Sequence, residues 1–147
     1  MASFEVIALD PTTPQLRAPG AGDSYKFPRP ATFEKGVQPR IASAATASSP
    51  LSWDSDQYDI YDLTALAGNL TINADAGTPI NGQKILFRIK DSGSTRTLTW
   101  TTGTSKSFRE IGTLLPTATT ANKVVYVGGI YNSTDSRWDV IAVGQEL

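Results

Sequence analysis

The sequence predicts an all-β protein, an antiparallel β-sandwich or jelly-roll-like barrel carrying an extended, Pro-rich N-terminal arm, and three observations predict it. Seven of the nine prolines, at positions 11, 14, 19, 28, 30, 39 and 50, fall in the first 50 residues, which excludes a continuous helix or a central strand there. From Leu51 onward, short apolar or alternating segments are separated by Gly, Asn, Asp and Ser at spacings typical of all-β domains. No heptad or fixed-period repeat competes with that reading. At 147 residues and 39% hydrophobic content the chain is long enough for one compact domain with an extension, so residues 1–50 are assigned to the arm and connector and residues 51–147 to the body.

The arm comes first. Residues 11–30 read as extended or polyproline-like chain broken by turns, yet they carry Leu16, Tyr25 and Phe27, which a pure spacer does not need. Extended chain of about 25 residues reaches roughly 80–90 Å, far enough to lie on a neighbouring subunit. Leu16, Tyr25, Phe27 and Phe33, with Trp53 just past the joint, are therefore the candidate interface residues. Residues 41–50 are small and polar and read as a connector or a weak edge strand.

The body strands follow in order. Residues 59–63 and 69–73 are two short candidates expected to pair across the turn at 65–68. Residues 84–90 place Ile85, Phe87 and Ile89 on one face and Lys84, Arg88 and Lys90 on the other, with Leu86 alone breaking the pattern. The turn at Asp91–Ser94 then predicts a hairpin with residues 95–100. Residues 123–131 and 138–143 predict a closing hairpin around the polar loop 132–136. Within its first arm, Gly128-Gly129 marks a bulge or the close approach of a large ring such as Trp138. The only helical turn expected lies around residues 105–111.

Composition narrows the chemistry. The chain has no cysteine and no histidine, so thiolate nucleophiles, imidazole bases and the commonest transition-metal ligands are all missing. A formal net charge of -1 gives no positive field for phosphate, which argues against nucleic acid as a partner. No window approaches the roughly 20 apolar residues of a spanning helix, and the start lacks a signal-peptide pattern, so a soluble, unexported chain with no membrane partner is expected.

The acidic stretch Asp54, Asp56, Asp59 and Asp62 is the strongest local charge feature and invites a calcium reading. The EF-hand order fails, because counting from Asp54 the glycine and distal glutamate positions hold Asp59 and Ala65. A solvated loop and edge strand, with carboxylates facing water or Arg88, Arg96 and Lys90, is the expected arrangement, with no metal and no cofactor. Glycoside hydrolysis needs only two carboxylates, and Glu110 or the Asp54/Asp56 pair are the candidates for it. No Ser-x-x-Lys, Gly-x-Ser-x-Gly or phosphate-loop signature is present, and a non-enzymatic protein is expected. Trp100 and Trp138, at strand positions, are expected in the core, whereas Trp53 in an irregular segment is expected as an exposed contact anchor.

Residues 78–93 with Arg96–Trp100, and the ending formed by residues 121–128, 130–132 and 137–143, resemble a small all-β module found in structural proteins of tailed bacteriophages. The likeness covers residues 70–147 and carries no catalytic signature. It implies a virion role: a capsid decoration (cement) protein on the particle surface, assembled in the host cytoplasm. The implied partners are the major capsid protein or other virion proteins and further copies of itself, as a homotrimer. The alternative is a tail or head fibre component binding host-surface glycan through exposed aromatics and the Asp54–Asp62 loop.

Overall fold

The structure is a computed structural model that describes residues 38–147 throughout and, before them, the backbone of two short paired strands, β1 (Ala8–Leu9) and β2 (Leu16–Arg17). Tyr25, Phe27 and Phe33 lie outside the described residues, and Leu16 is described only as part of β2. Two compact units are present, Met1–Val37 and Gln38–Leu147. The second is the body, so residues 38–50, grouped with the arm on composition, contribute a strand to it.

The body is all-β, with no helix among the described residues. Its strands are β3 (Ile41–Ala44), β4 (Ile60–Leu66), β5 (Leu70–Ile72), β6 (Lys84–Asp91), β7 (Leu98–Trp100), β8 (Ser107–Glu110), β9 (Val124–Asn132) and β10 (Arg137–Gln145). The larger sheet has the order β3-β4-β6-β9-β10-β8, and a small second sheet pairs β5 with β7. The helical turn expected at residues 105–111 is instead β8. Phe108 is buried there and the strand runs parallel to β10.

The pairing corrects the antiparallel sandwich or jelly roll. β3, β4 and β6 stack in parallel, in the register Ile41↔Ile60↔Leu86, and the second sheet repeats the pattern with Leu51↔Ile72↔Trp100. The chain therefore passes from one sheet to the other and back, β3 to Leu51, β4 to β5, β6 to β7, and this winding suggests a short β-solenoid. The hairpin expected from residues 84–100 does not form, nor does pairing of residues 59–63 with 69–73. The turns are arches between layers, because Leu63, Leu66, Leu70 and Ile72 must all point into one interior from two sides. Asn69 helps fix the stacking: its side chain accepts the Thr97 amide at 2.9 Å, while the Leu70 amide donates to the Thr97 carbonyl at 2.9 Å.

The closing hairpin is present, with β9 and β10 antiparallel. Its bulge lies between Val140 and Ala142, opposite Gly129 and Gly128, and a Cβ at Gly129 would stand 3.3 Å from Ile85 and 3.8 Å from the Trp138 ring.

Trp53 is the main correction among single residues. It is 1% exposed, and its ring lies 5.2 Å from Phe87, 5.5 Å from Phe108 and 5.6 Å from Trp138, with its indole donating to the Asn73 carbonyl at 2.6 Å. An irregular segment carries it into the centre because the stacked strands leave a ring-sized space between the sheets. Trp138 and Trp100 are buried as expected. Beside them sits Asp75, 3% exposed, whose carboxylate accepts the Ser55 amide at 3.0 Å, the Ser55 hydroxyl at 2.6 Å, the Gly77 amide at 2.9 Å and the Trp138 indole at 3.2 Å. A Cβ at Gly77 would come within 2.6 Å of Asp54 Oδ1 and 2.9 Å of Ser55 Oγ, so any larger residue there would displace these side chains.

Asp75→Ala strands those donors in the interior, and each orphan of this kind costs about 1–3 kcal/mol. The expected outcome is a loss of at least about 3 kcal/mol in urea unfolding, with Asp75→Asn losing less. A midpoint unchanged in Asp75→Ala would contradict the role given to this carboxylate.

Candidate functional site

The outer face of the larger sheet is built by strand alternation. β6 turns Ile85, Phe87 and Ile89 inward and leaves Leu86, Arg88 and Lys90 outside. β4 leaves Ile60, Asp62 and Thr64 outside, and β9 leaves Val124, Tyr126, Gly128 and Ile130. Register then aligns Ile41, Ile60, Leu86, Gly128 and Ala142 in one lateral row across five strands. Ile41 is 44% exposed, and Ile141, extruded by the bulge, is 52% exposed.

Because Gly128 contributes no side chain, the row contains a pit of about 310 Å³, floored by Gly128 and Gly129 and walled by Ile60, Leu86 and Ile141. The next row reads Ser43, Asp62, Arg88, Tyr126 and Gly144. Arg88 holds Asp62 through Nε–Oδ1 at 3.2 Å and Nη2–Oδ2 at 2.6 Å, and Tyr126 is 41% exposed beside them. A contiguous apolar strip rimmed by paired charges is the composition of a contact surface. Sequence reasoning passed over Ile41, Ile60 and Ile141. Two signals were visible: Leu86 as the lone apolar residue on a polar face, and the glycine pair within a strand.

The acidic segment does something different. Asp54 Oδ1 accepts the Asp56 amide at 2.8 Å, and Asp56 Oδ2 accepts the Thr78 amide at 2.9 Å and hydroxyl at 2.7 Å. Asp59 takes the Arg40 amide and guanidinium at 2.7–3.1 Å, and Arg40 also donates to the Asp56 carbonyl. Asp62 faces Arg88, as expected, whereas Arg96 donates from its amide to Thr119 and from its guanidinium to Ser92. The carboxylates thus tie the loop to its neighbours. Among the described residues no group of three or more His, Cys, Asp or Glu side chains is placed to hold a metal ion.

Glu110 lies at the end of β8 and accepts the Leu115 amide at 2.6 Å. It borders an open trough of about 480 Å³ on the second sheet, with Thr97, Thr99, Trp100, Thr102 and Thr117 around it. The Trp100 indole is fixed by the Pro116 carbonyl at 2.8 Å. The trough offers hydroxyls and one carboxylate, and it does not include the Asp54/Asp56 pair.

Two ion pairs brace the sheet margins. Hydrogen bonding to the Arg109 guanidinium, at 2.6 and 2.9 Å, holds the Asp139 carboxyl below the usual carboxylate range against the opposing effect of burial. Hydrogen bonding to Arg40 does the same for Asp59. A carboxyl lowered in the folded state stabilises fully above its unfolded value, 3.8, and the contribution is lost as pH falls through the lowered folded value. With no histidine to titrate, the urea midpoint is expected to stay level from about pH 7 to about pH 5 and to fall below about pH 4, with a shallower acid limb in Asp139→Asn. A midpoint that changes steeply near pH 6 would contradict this. No protein-family model, curated protein or solved structure matches the chain.

Proposed function

We propose that the chain is a non-enzymatic structural protein of a tailed bacteriophage, a capsid decoration (cement) protein on the virion surface. In this reading the part of the Pro-rich arm that precedes the body, residues 1–37 with Leu16, Tyr25, Phe27 and Phe33, binds the major capsid protein or other shell components, while the body contacts further copies. The observation that carries the reading is the apolar row on the outer face of the larger sheet. Ile41 and Ile141 are exposed and Ile60 and Leu86 between them are half-buried, and covering the row with protein removes the remaining apolar area from water at about 25 cal/mol per Å². The phage assignment itself rests on the sequence resemblance in residues 70–147.

A second reading, a tail or head fibre component binding host-surface glycan, is favoured by the trough around Thr99, Trp100 and Glu110, where hydroxyls and a carboxylate suit sugar hydrogen bonding. In that reading the trough takes the place of the Asp54–Asp62 loop, whose carboxylates are engaged within the chain.

Gold labelling of purified particles is expected to mark the whole head surface. Label confined to the tail tip would favour the fibre reading, and absence from particles would remove both. Deleting residues 2–30 is expected to abolish particle binding while leaving the body's tryptophan emission unchanged; particle binding that survives the deletion would exclude the arm as the grip.

A further inference from the structure

The outer face of the larger sheet is complementary to itself, and we propose that it packs against the same face of a second copy of this chain about a two-fold axis parallel to the strands, between β6 and β9. The proposal takes from the assembly reading only that this face is a contact surface, and it names what covers it. Between β6 and β9 is also the middle of the order β3-β4-β6-β9-β10-β8, so three strands of each copy cover three of the other. In such an arrangement each residue faces the residue of the second copy that occupies the mirror strand at the same level.

The register then gives the cross-pairs directly. Leu86 meets Gly128 of the second copy and enters its pit, and Ile60 meets Ala142 beside the extruded Ile141. Arg88 meets the exposed ring of Tyr126, a cation–aromatic pair made while Arg88 keeps Asp62. Leu86, Ile60 and Asp62 are opposed by Gly128, Ala142 and Gly144, so along these pairs the sheets can approach to the usual separation of about 10 Å. The charges also fit: Lys84 faces Ile130, Lys90 faces Val124 and Asp62 faces Gly144, so no like charges are opposed. Large residues set against glycine and alanine in these three pairs fit a two-fold partner better than a flat surface does.

Gly128 supplies an independent argument. Glycine within a strand weakens it. At Gly129 the fold itself explains the residue, because a Cβ would press on Ile85 at 3.3 Å. At Gly128 it does not: a Cβ would meet only Ala142, at 3.8 Å or more, which is ordinary contact, and the backbone is not in the left-handed region. The space left by Gly128 therefore serves something outside the body, and the side chain of the right size and place is Leu86 of a second copy.

The same feature makes a clean test, since a side chain at position 128 is tolerated by the fold. Sedimentation equilibrium of the full chain is expected to give two copies, or an even multiple, for the wild type. Gly128→Leu fills the pit, and Ile141→Asp sets an unpaired carboxylate in the apolar row beside Ile60 of the second copy; the first is expected to weaken association by about ten-fold or more, and the second to weaken it as well, both with wild-type tryptophan emission. A wild-type monomer, or an oligomer, a trimer included, that neither variant weakens, would overturn the proposal. Particle binding decides the assembly reading separately: pairing broken by these variants in a protein that binds no particle supports the two-fold contact and removes the virion role, whereas particle binding by a monomeric chain does the reverse.

Discussion

The carboxylate of Asp75 is the constraint around which the body is organised. A polar group this far from solvent is tolerated only when its oxygens are fully engaged, so the segments that supply the donors must converge on it. They come from separate parts of the chain: the Ser55 amide and hydroxyl, the Gly77 amide and the Trp138 indole. Once Trp138 is oriented by that bond, its ring closes one side of the space that Trp53 fills, with Phe87 and Phe108 completing the cluster. The irregular stretches between strands are thus fixed as tightly as the strands, and the acidic loop from Asp54 to Asp62 is held to the coil by its own carboxylates.

That arrangement decides what remains outside. A coil filled by aromatic rings from both sheets turns every inward position into core, and the outward positions of the larger sheet have nothing packed on them among the described residues. Polar outward residues need no cover: Asp62 and Arg88 satisfy one another, and Arg40 satisfies Asp59. Ile41, Ile60, Leu86 and Ile141 have no such resolution within the body. The apolar row is therefore a remainder of the fold, with Ile41 and Ile141 exposed and no cover among the described residues.

What the sequence disclosed followed from local chemistry, and what it concealed followed from partnership between distant segments. The alternation in Lys84–Lys90 correctly separated Ile85, Phe87 and Ile89 from Arg88, and the closing hairpin was legible because its two arms are adjacent in the chain and joined by a short polar loop. Turn residues at Asp91–Ser94 announced a reversal but not its plane, so an arch between sheets read as a hairpin within one. The parallel stacking left no periodic trace because successive coils differ in length, Ile41 to Ile60 against Ile60 to Leu86. Trp53 was misjudged for a similar reason. Its segment has no strand pattern, and only the convergence of Phe87, Phe108 and Trp138 from elsewhere makes that position interior.

The two surfaces of interest lie on opposite sides of the core, and this bears on how the assembly and glycan readings relate. The apolar row belongs to the outer side of the larger sheet, whereas the trough with Thr99, Trp100 and Glu110 belongs to the second sheet, which faces the larger one across the buried rings. The proposed contact through the row would be largely apolar and weakly sensitive to salt, since the bordering charges Arg40–Asp59 and Arg88–Asp62 are already paired within the chain. A pair formed through the larger sheets leaves both troughs on its outer sides, pointing away from each other. Two hydroxyl-lined sites fixed on one rigid pair would gain from effective concentration only with targets spaced to match, as on a repeating surface, so the proposed self-association and the glycan reading would reinforce one another without competing for area.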